Sequence, residues 1–440
     1  MEALFEKFRQ FRTESDAPIY DCGENCFLKY YENASLSEFE SWINALKADG
    51  FEAVQENSLS GNQFVWLKKD VLYITAYFTP CDSSLRVTAS ENQPVPMLEA
   101  VEYERKCETV FYCFENDHTV IDCGMCLLIQ CSDYSFVIVD SGHYDQFNDN
   151  DRIHKFMRER TPQGQKIVVA GWLLTHSHTD HVCKFIDFLK YNCDDVIIEG
   201  IYSNLFPFGY VAPNWGNEER LISAKLRRLM NGLVIPEYKL HSGESFYIRN
   251  LKIDVLCTHE DVYPKRISDF NDSSSVVMVT AENTRIFIPG DASDLVSEKL
   301  EMRYGEDLKC DVVQVAHHGH HGLSENVYRL LQGRLAVFPI TRIKFDEELP
   351  RIQANRTLIE LAEKYLISSD GTIKVPLPYD VNTVEQLPDE TFEDFEKIKN
   401  LWSYSYTDER KKELYEIYLE HGGDLDKEVL PADYCGFHEF

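Results

Sequence analysis

The sequence predicts a layered α/β protein of αββα type, preceded by a small α+β unit and followed by an acidic helical extension. Three observations carry the prediction. Between residues 108 and 378, apolar runs of strand length alternate with amphipathic runs of helix length, a pattern that requires sheets covered by helices. Ahead of it, residues 1–100 carry hairpin-like alternation around a single helix pattern. Behind it, residues 379–440 turn acidic and helix-patterned and end in an irregular Gly/Pro/aromatic tail. At 440 residues the chain has room for two or three such units, at about 150 residues each.

In chain order, residues 1–16 form a charged, helix-like lead-in without the character of a signal peptide. Ser37-Glu-Phe-Glu40 reads as a capping box opening a helix whose apolar face is Phe39, Trp42, Ile43 and Leu46, closed at Gly50. Strands follow at 51–55, 63–68, 71–78 and 84–89, joined by turns at Ser60-Gly61-Asn62 and Lys69-Asp70. The Pro-containing stretch 92–97 is a linker. The second unit then has strands at 109–114, 126–131, 135–139, 167–174, 196–202, 252–257, 275–280, 285–289, 312–316 and 335–339. Its helices are expected over 151–159, 182–191, 217–230, 294–302, 324–332 and 355–365. Two acidic helices, 390–399 and 408–421, complete the chain.

Composition narrows the function. Lys and Arg number 44 against 74 Asp and Glu, a formal charge of −30. Such a field repels phosphate backbones, because nucleic-acid affinity comes largely from cationic neutralisation of phosphates. A small substrate fits the charge better than long nucleic acid. No run approaches the roughly 20 apolar residues of a membrane span, so the expected setting is cytoplasmic, with no membrane partner. The thirteen cysteines are dispersed and odd in number, which reads as reduced core thiols. Cys123-x-x-Cys126 precedes a strand rather than the helix of a redox site, and Cys22-x-x-x-Cys26 has no matching second pair with which to hold a structural zinc.

Chemistry concentrates where strands end. The run 167–174 leads into His176-Ser-His178-Thr-Asp180-His181, an H-x-H-x-D-H pattern followed by a helix. In extended backbone His176 and His178 point the same way, and Asp180 and His181, at the start of the helix, can aim back at the same point. Imidazoles and a carboxylate at this spacing suit zinc or a similar transition metal. Four more features join them: Asp140 after the run 136–139, which either orients the metal loop from behind or makes an Asx turn; Gly290-Asp291, whose carboxylate can bridge two cations; His317-His318-Gly319-His320-His321 at another strand end; and His259 after 252–257, with His241 as its competitor.

Together these residues resemble the metallo-β-lactamase fold superfamily, and within it the hydrolase domain of the competence protein ComEC and its phosphorylcholine esterase relatives. Asp122-Cys-Gly-Met-Cys-Leu-Leu-Ile129 is similar to that group's D-V-G-Q-G-D-x-x-x-I, with Met125-Cys126-Leu127 departing from Gln-Gly-Asp. Asp140-Ser-Gly142 resembles D-T-G, Asn271 to Val277 resembles N-x-x-S-L-V, and Gly290-Asp291-Ala292 resembles G-D-A. His317-His318-Gly319 resembles H-H-G, and Ser369-Asp370-Gly371-Thr372-Ile373 the closing T-D-x-x-G-x-I.

The resemblance implies a four-layer αββα hydrolase domain over 108–378 holding two divalent cations, zinc or alternatively manganese. It places His176, His178 and His259 on the first cation, Asp180, His181 and His318 on the second, and Asp291 between them. Asp140 and Asn271 would support from behind. Asp180 would orient the attacking water, and His317 would face the substrate as a hydrogen-bond donor or acid. The reaction implied is metal-assisted hydrolysis of a phosphodiester or phosphoester in a small phosphorylated substrate. The competing readings are a ComEC-like nuclease, which requires a local basic groove, and a non-catalytic metal-containing regulatory protein. The unit 1–100 is the expected surface for a protein partner or self-association.

Overall fold

The computed structural model describes residues 2–12, 17–119, 121–146, 148–207, 217–265, 267 and 269–390. The acidic helices expected at 390–399 and 408–421 lie outside the described residues, apart from Glu390 itself. Among the described residues no helix is long and apolar enough to cross a membrane.

The N-terminal part begins with a short helix, α1 (Glu2–Phe5), and builds an antiparallel sheet from β1 (Ile19–Asp21), β2 (Phe27–Tyr31), β3 (Glu52–Leu59), β4 (Asn62–Lys69), β5 (Leu72–Thr79) and β6 (Ser84–Glu91). The strand order is β1-β2-β6-β5-β4-β3. Helix α2 (Leu36–Ala48) covers one face with Phe39, Trp42, Ile43 and Leu46, the four residues its spacing predicts. Its capping box is Ser35 with Glu38, not Ser37 with Glu40. Ser35 is extended at φ −109°, its Oγ accepts from Glu38 N at 3.3 Å, and the Glu38 carboxylate accepts from Ser35 N at 2.9 Å. β1 and β2 were not foreseen, since each is short and half-buried and carries little alternation.

The larger part contains two packed sheets. The first holds β7 (Val110–Cys113), β8 (Cys126–Gln130), β9 (Phe136–Asp140), β10 (Ile167–Leu174), β11 (Val196–Ile198), β12 (Ile201–Ser203), β13 (Glu237–Lys239), β21 (Ile373–Pro376) and β22 (Glu385–Gln386). The second runs in the order β14 (Ser245–Ile248), β15 (Leu251–Cys257), β16 (Val276–Ala281), β17 (Thr284–Ile288), β18 (Val312–Gln314), β19 (Leu335–Phe338) and β20 (Lys364–Ile367). Alternate residues decide the layers. Phe111, Leu127, Val137 and Leu173 face Ile253, Val277, Ile286 and Val312 across the inter-sheet core. Their neighbours Tyr112, Leu128, Ile138 and Trp172 pack outward on α3 (Asp149–Arg160), α4 (Thr179–Tyr191) and α5 (Asn217–Asn231). On the far side Met278, Phe287 and Val313 pack on α6 (Asp294–Tyr304), α7 (Glu325–Leu331) and α9 (Gln353–Leu361). Helix, sheet, sheet, helix is the predicted layering. Each large apolar side chain so buried contributes about 1.5–3 kcal/mol.

Several predicted elements need correction. The strand expected at 196–202 is two strands, β11 and β12, separated by Glu199-Gly200, because both pair with β10 at different levels. The helix expected at 355–365 stops at Leu361, and Lys364–Ile367 leaves it to pair in parallel with β19. Helix α8 (Arg342–Glu348) was missed, capped by Thr341. Between 379 and 390 the described chain is a 3₁₀ turn, Val381–Thr383, and β22 rather than α-helix.

Strand directions gather the chemistry at one rim. β9 and β10 are parallel, so Asp140 and the loop after Leu174 emerge at the same end. β15 and β17 both run antiparallel to β16, and β18 is parallel to β17. His259, Asp291 and His317-His318 therefore leave the second sheet at one end as well. The hydrogen bond from Ser275 N to Thr175 O, 2.9 Å, joins the two rims.

Candidate metal centre

The first sheet delivers the loop 175–178 in extended form, and α4 begins at Thr179 with His178 as its N-cap. His178 makes no side-chain cap of its own. Glu219 caps the helix instead, accepting from Thr179 N at 2.9 Å and Thr179 Oγ1 at 3.0 Å. Asp140, fully buried at φ +55°, organises the loop. Its carboxylate accepts from Thr175 N at 2.8 Å, Thr175 Oγ1 at 2.6 Å and the Nδ1 of His181 at 2.7 Å. Its carbonyl accepts from Trp172 Nε1 at 3.0 Å. An Asx turn would not reach across to Thr175 and His181; this carboxylate does, and it fixes the His181 ring.

The second sheet brings Asp291 and the histidine loop against that side. Gly290 is left-handed at φ +57°, and a Cβ there would lie 2.9 Å from Thr175 Cβ and Oγ1, so only glycine lets the two loops approach this closely. His317 and His318 are both left-handed, at φ 52° and 57°, an uncommon state for non-glycine residues. Their turn is held by His317 N donating to Gly290 O at 3.1 Å and by Asn355 Nδ2 donating to Gly319 O.

Two donor groups result, each with one ligand atom per residue and those atoms within 4.8 Å of one another. One is Asp180, His181, Asp291 and His318; the other is His176, His178 and Asp291. The outer nitrogens decide what faces inward. His181 Nδ1 is held by Asp140 and His318 Nδ1 by the carbonyl of Pro339 at 2.9 Å, and both acceptors require an N–H. The two Nε2 atoms, 3.1 Å apart, therefore present lone pairs to each other. They also face Asp291 Oδ2, at 3.2 Å from His181 and 3.5 Å from His318, and Asp180 Oδ2, at 3.0 Å from His318. On the other side, His176 Nδ1 lies 3.1 Å from Thr175 Oγ1, whose proton is given to Asp140. His176 Nε2 thus faces His178 Nδ1 at 3.0 Å. Asp291 Oδ1 is buried with no hydrogen-bond partner among the described residues. Converging lone pairs and carboxylates with no protein donor between them fit divalent cations.

The buried carboxylates draw positive charge to this point. Burial alone would raise the Asp180 and Asp291 carboxyls, but His181 and His318 outweigh it and hold both well below the usual carboxylate range. Burial would likewise depress His181 and His318, yet Asp291 and Asp180, with Asp140 for His181, push both up. His176, buried and beside two other imidazoles, is held well below its ordinary value. The carboxylate field that favours protons here favours cations too.

The remaining predicted residues divide. His259 is not among the donors that meet within 4.8 Å. It is fully buried, its Nδ1 bonds the carbonyl of Asn204 at 3.0 Å, and Phe206 stands edge-on to its ring at 5.6 Å. That carbonyl leaves a lone pair on its Nε2, which has no partner among the described residues. Burial, with the charge of Lys239, lowers this imidazole to about 4, so it is neutral. His241 sits in a different cluster, against Glu260 at 3.0 Å. His317 is partly exposed, with Nε2 4.0 Å from Asp291 Oδ2 and 3.3 Å from Asn271 Nδ2. One contact was missed: Cys123 Sγ lies 3.4 Å from Asp180 Oδ2. The departure from the resembled motif lies at 125–127, whereas the thiol two residues earlier touches a candidate ligand.

No family model matches this chain, and no curated protein matches it in sequence. Solved structures similar to it include the metallo-β-lactamase fold protein YhfI of Bacillus subtilis, at 10% identity and a TM-score of 0.34, covering 59% of this chain and 96% of that one. Others are the diiron β-hydroxylase CmlA of Streptomyces venezuelae (12%, TM-score 0.37, covering 65% and 55%) and unliganded yeast PDE1 (12%, TM-score 0.37, covering 62% and 100%).

Proposed function

We propose that this chain is a binuclear metal-dependent hydrolase of phosphodiester or phosphoester bonds in a small substrate. One observation carries the reading: two groups of donor atoms share Asp291, and hydrogen bonds to Asp140 and Pro339 hold the rings of His181 and His318 with Nε2 inward. Such a set takes two divalent cations, zinc by its imidazoles or manganese by its carboxylates. Bound there, they would supply a water acidic enough to attack at neutral pH and neutralise charge on the leaving oxygen. The phosphoester preference rests on the resemblance of the motifs to ComEC-type and phosphorylcholine esterase sequences. The small substrate rests on the charge of −30.

The chain's own residues have distinct tasks. Asp180, with Oδ2 3.0 Å from His318, orients the attacking water. Asp140 keeps His181 in the Nε2-ligating tautomer. His317 has its Nδ1 on the carbonyl of His321 at 2.9 Å and its Nε2 beside Asn271; in its protonated form it donates to charge developing on the substrate.

The test is metal content per chain by plasma mass spectrometry, followed by turnover of a chromogenic phosphodiester. About two equivalents at the centre, and hydrolysis lost in Asp291→Ala, are the expected results. A chain that takes up no metal at the centre, or whose Asp291→Ala variant hydrolyses normally, sinks the proposal and brings forward the regulatory reading.

A further inference from the structure

A second cluster of metal-ligating side chains lies outside this centre, where the N-terminal sheet meets the sandwich. Cys26, His241 and Glu260 each bring one ligand atom to within 4.8 Å of the others. They are 0%, 1% and 4% exposed. We infer that they form a separate structural site for zinc or a similarly borderline-soft divalent cation.

The cysteine comes from a tight loop between β1 and β2. Gly23, Glu24 and Asn25 are all left-handed there, and Cys26 N donates to Gly23 O at 2.8 Å while Cys22 N donates to Cys26 O at 2.9 Å. The loop buries Cys22 and Cys26 together. The pair that the sequence lacked for Cys22-x-x-x-Cys26 is supplied by distant residues, His241 after β13 and Glu260 in the turn after β15. A thiolate, an imidazole and a carboxylate are among zinc's usual donor types.

Charged and polar groups surround the cluster. Lys239 Nζ is 2.7 Å from Glu24 Oε2 and 2.6 Å from the carbonyl of Cys22, and Glu24 also pairs with Arg227 at 2.5 Å. Glu260, buried, accepts from Asn204 Nδ2 at 2.9 Å and from His241 Nδ1 at 3.0 Å. His241 is also ready to ligate. Its Nε2 meets Gln93 Nε2 at 2.8 Å, and Gln93 Oε1 accepts from Ser90 Oγ at 2.6 Å. Exchanging the amide oxygen and nitrogen keeps both contacts, since the serine hydroxyl accepts as well as it donates. The ring proton then moves to Nε2 and Nδ1 turns a lone pair to Cys26 and Glu260. A cavity of about 190 Å³ lined by Cys26, Ser90, Gln93 and Lys239 lies beside the cluster. Glu260 follows His259 directly, so the site fixes the turn that carries that histidine.

The experiment uses the full chain loaded with cobalt in place of zinc, read by metal content and by the near-ultraviolet cobalt–thiolate charge-transfer band. The expected result is a thiolate band and one metal equivalent beyond the binuclear centre. Both are lost in Cys26→Ser, and both persist in Cys123→Ser and in Asp291→Ala. Glu260→Gln, nearly isosteric, serves if Cys26→Ser does not fold; it should weaken metal retention against a chelator at least tenfold. A band that is absent from the wild type, or survives Cys26→Ser, or disappears only in Cys123→Ser, overturns the inference. A thiolate-bound equivalent in a chain whose centre takes up no metal upholds this site while removing the hydrolase reading.

Discussion

The two buried clusters differ in who satisfies their lone pairs. At the strand-end centre, the outer nitrogens of His181 and His318 are tied to Asp140 and Pro339, which in the neutral rings turns both inner nitrogens toward Asp291 and Asp180 as acceptors. At the junction, His241 donates to Glu260 and accepts from Gln93, and the network closes on itself. The first arrangement is incompatible with neutral rings unless a cation intervenes. The second stands without metal and would gain one only by moving a proton. The comparison teaches that donor types and proximity alone do not tell two such clusters apart. What the atom behind each ligand accepts or donates does.

Three measurements bear on this contrast, and a fourth reads a region outside it. The largest effect belongs to Asp291→Ala, which removes the carboxylate common to both halves of the centre. Phosphodiester turnover should fall on the order of 10³-fold, the scale of losing a preorganised electrostatic partner, while the junction keeps its cobalt–thiolate band. Loss of both in one variant would mean the two regions are coupled.

Arg303→Leu tests the scaffold beside the junction. Arg303 and Asp261 form a fully buried pair joined by Arg303 Nη1, with Arg86 of the N-terminal sheet at 3.7 Å from the same carboxylate. Removing one partner of such a pair costs about 3 kcal/mol, readable by urea denaturation; a shift below the error of that measurement would show that Arg86 alone neutralises Asp261. Next in size, Asp140→Asn should lower metal affinity or turnover by about 10–100-fold, as loss of a carboxylate behind a ligand does. Its amide can no longer both accept from Thr175 and fix His181. Unchanged metal retention would remove Asp140 from the support of the centre.

The smallest effect is a pH slope from a region belonging to neither cluster. Burial pushes the Glu115 carboxyl up to about 9, reinforced by its hydrogen bond with Asp389. The folded state therefore holds this proton where the unfolded chain, at its ordinary 4.5, has released it. The stabilisation is complete below about pH 4.5 and is lost as pH rises toward 9. Wild type should lose stability relative to Glu115→Gln on going from pH 5 to 9, and parallel denaturation curves would refute the assignment.

Much of the architecture was legible before any coordinates. Apolar runs such as 167–174 and 285–289 are long and uninterrupted, and α2 shows its buried face at regular spacing, because burial imposes a period that local sequence displays. Short pieces were not legible. β1, β13 and β22 span two or three residues and exist only because a neighbouring strand offers hydrogen bonds. The shift of the α2 cap from Ser37 to Ser35 has the same character, since several serines and glutamates satisfy the pattern and the path of the preceding strand chooses among them.

Within the site, local sequence determined what lies within one loop: His176, His178, Asp180 and His181 sit close in space because they are close in the chain. It also placed Asp291 and His318 at strand ends. The tertiary structure alone decided which nitrogen of each ring points inward, because that depends on Asp140 and Pro339, far away in sequence. It alone put His259 outside the meeting donors, turned Cys123 toward Asp180, and brought His241 and Glu260 to the loop of Cys26. Periodicity and spacing report on neighbours along the chain, whereas a tautomer or a shared ligand depends on which strands are parallel and end at the same rim.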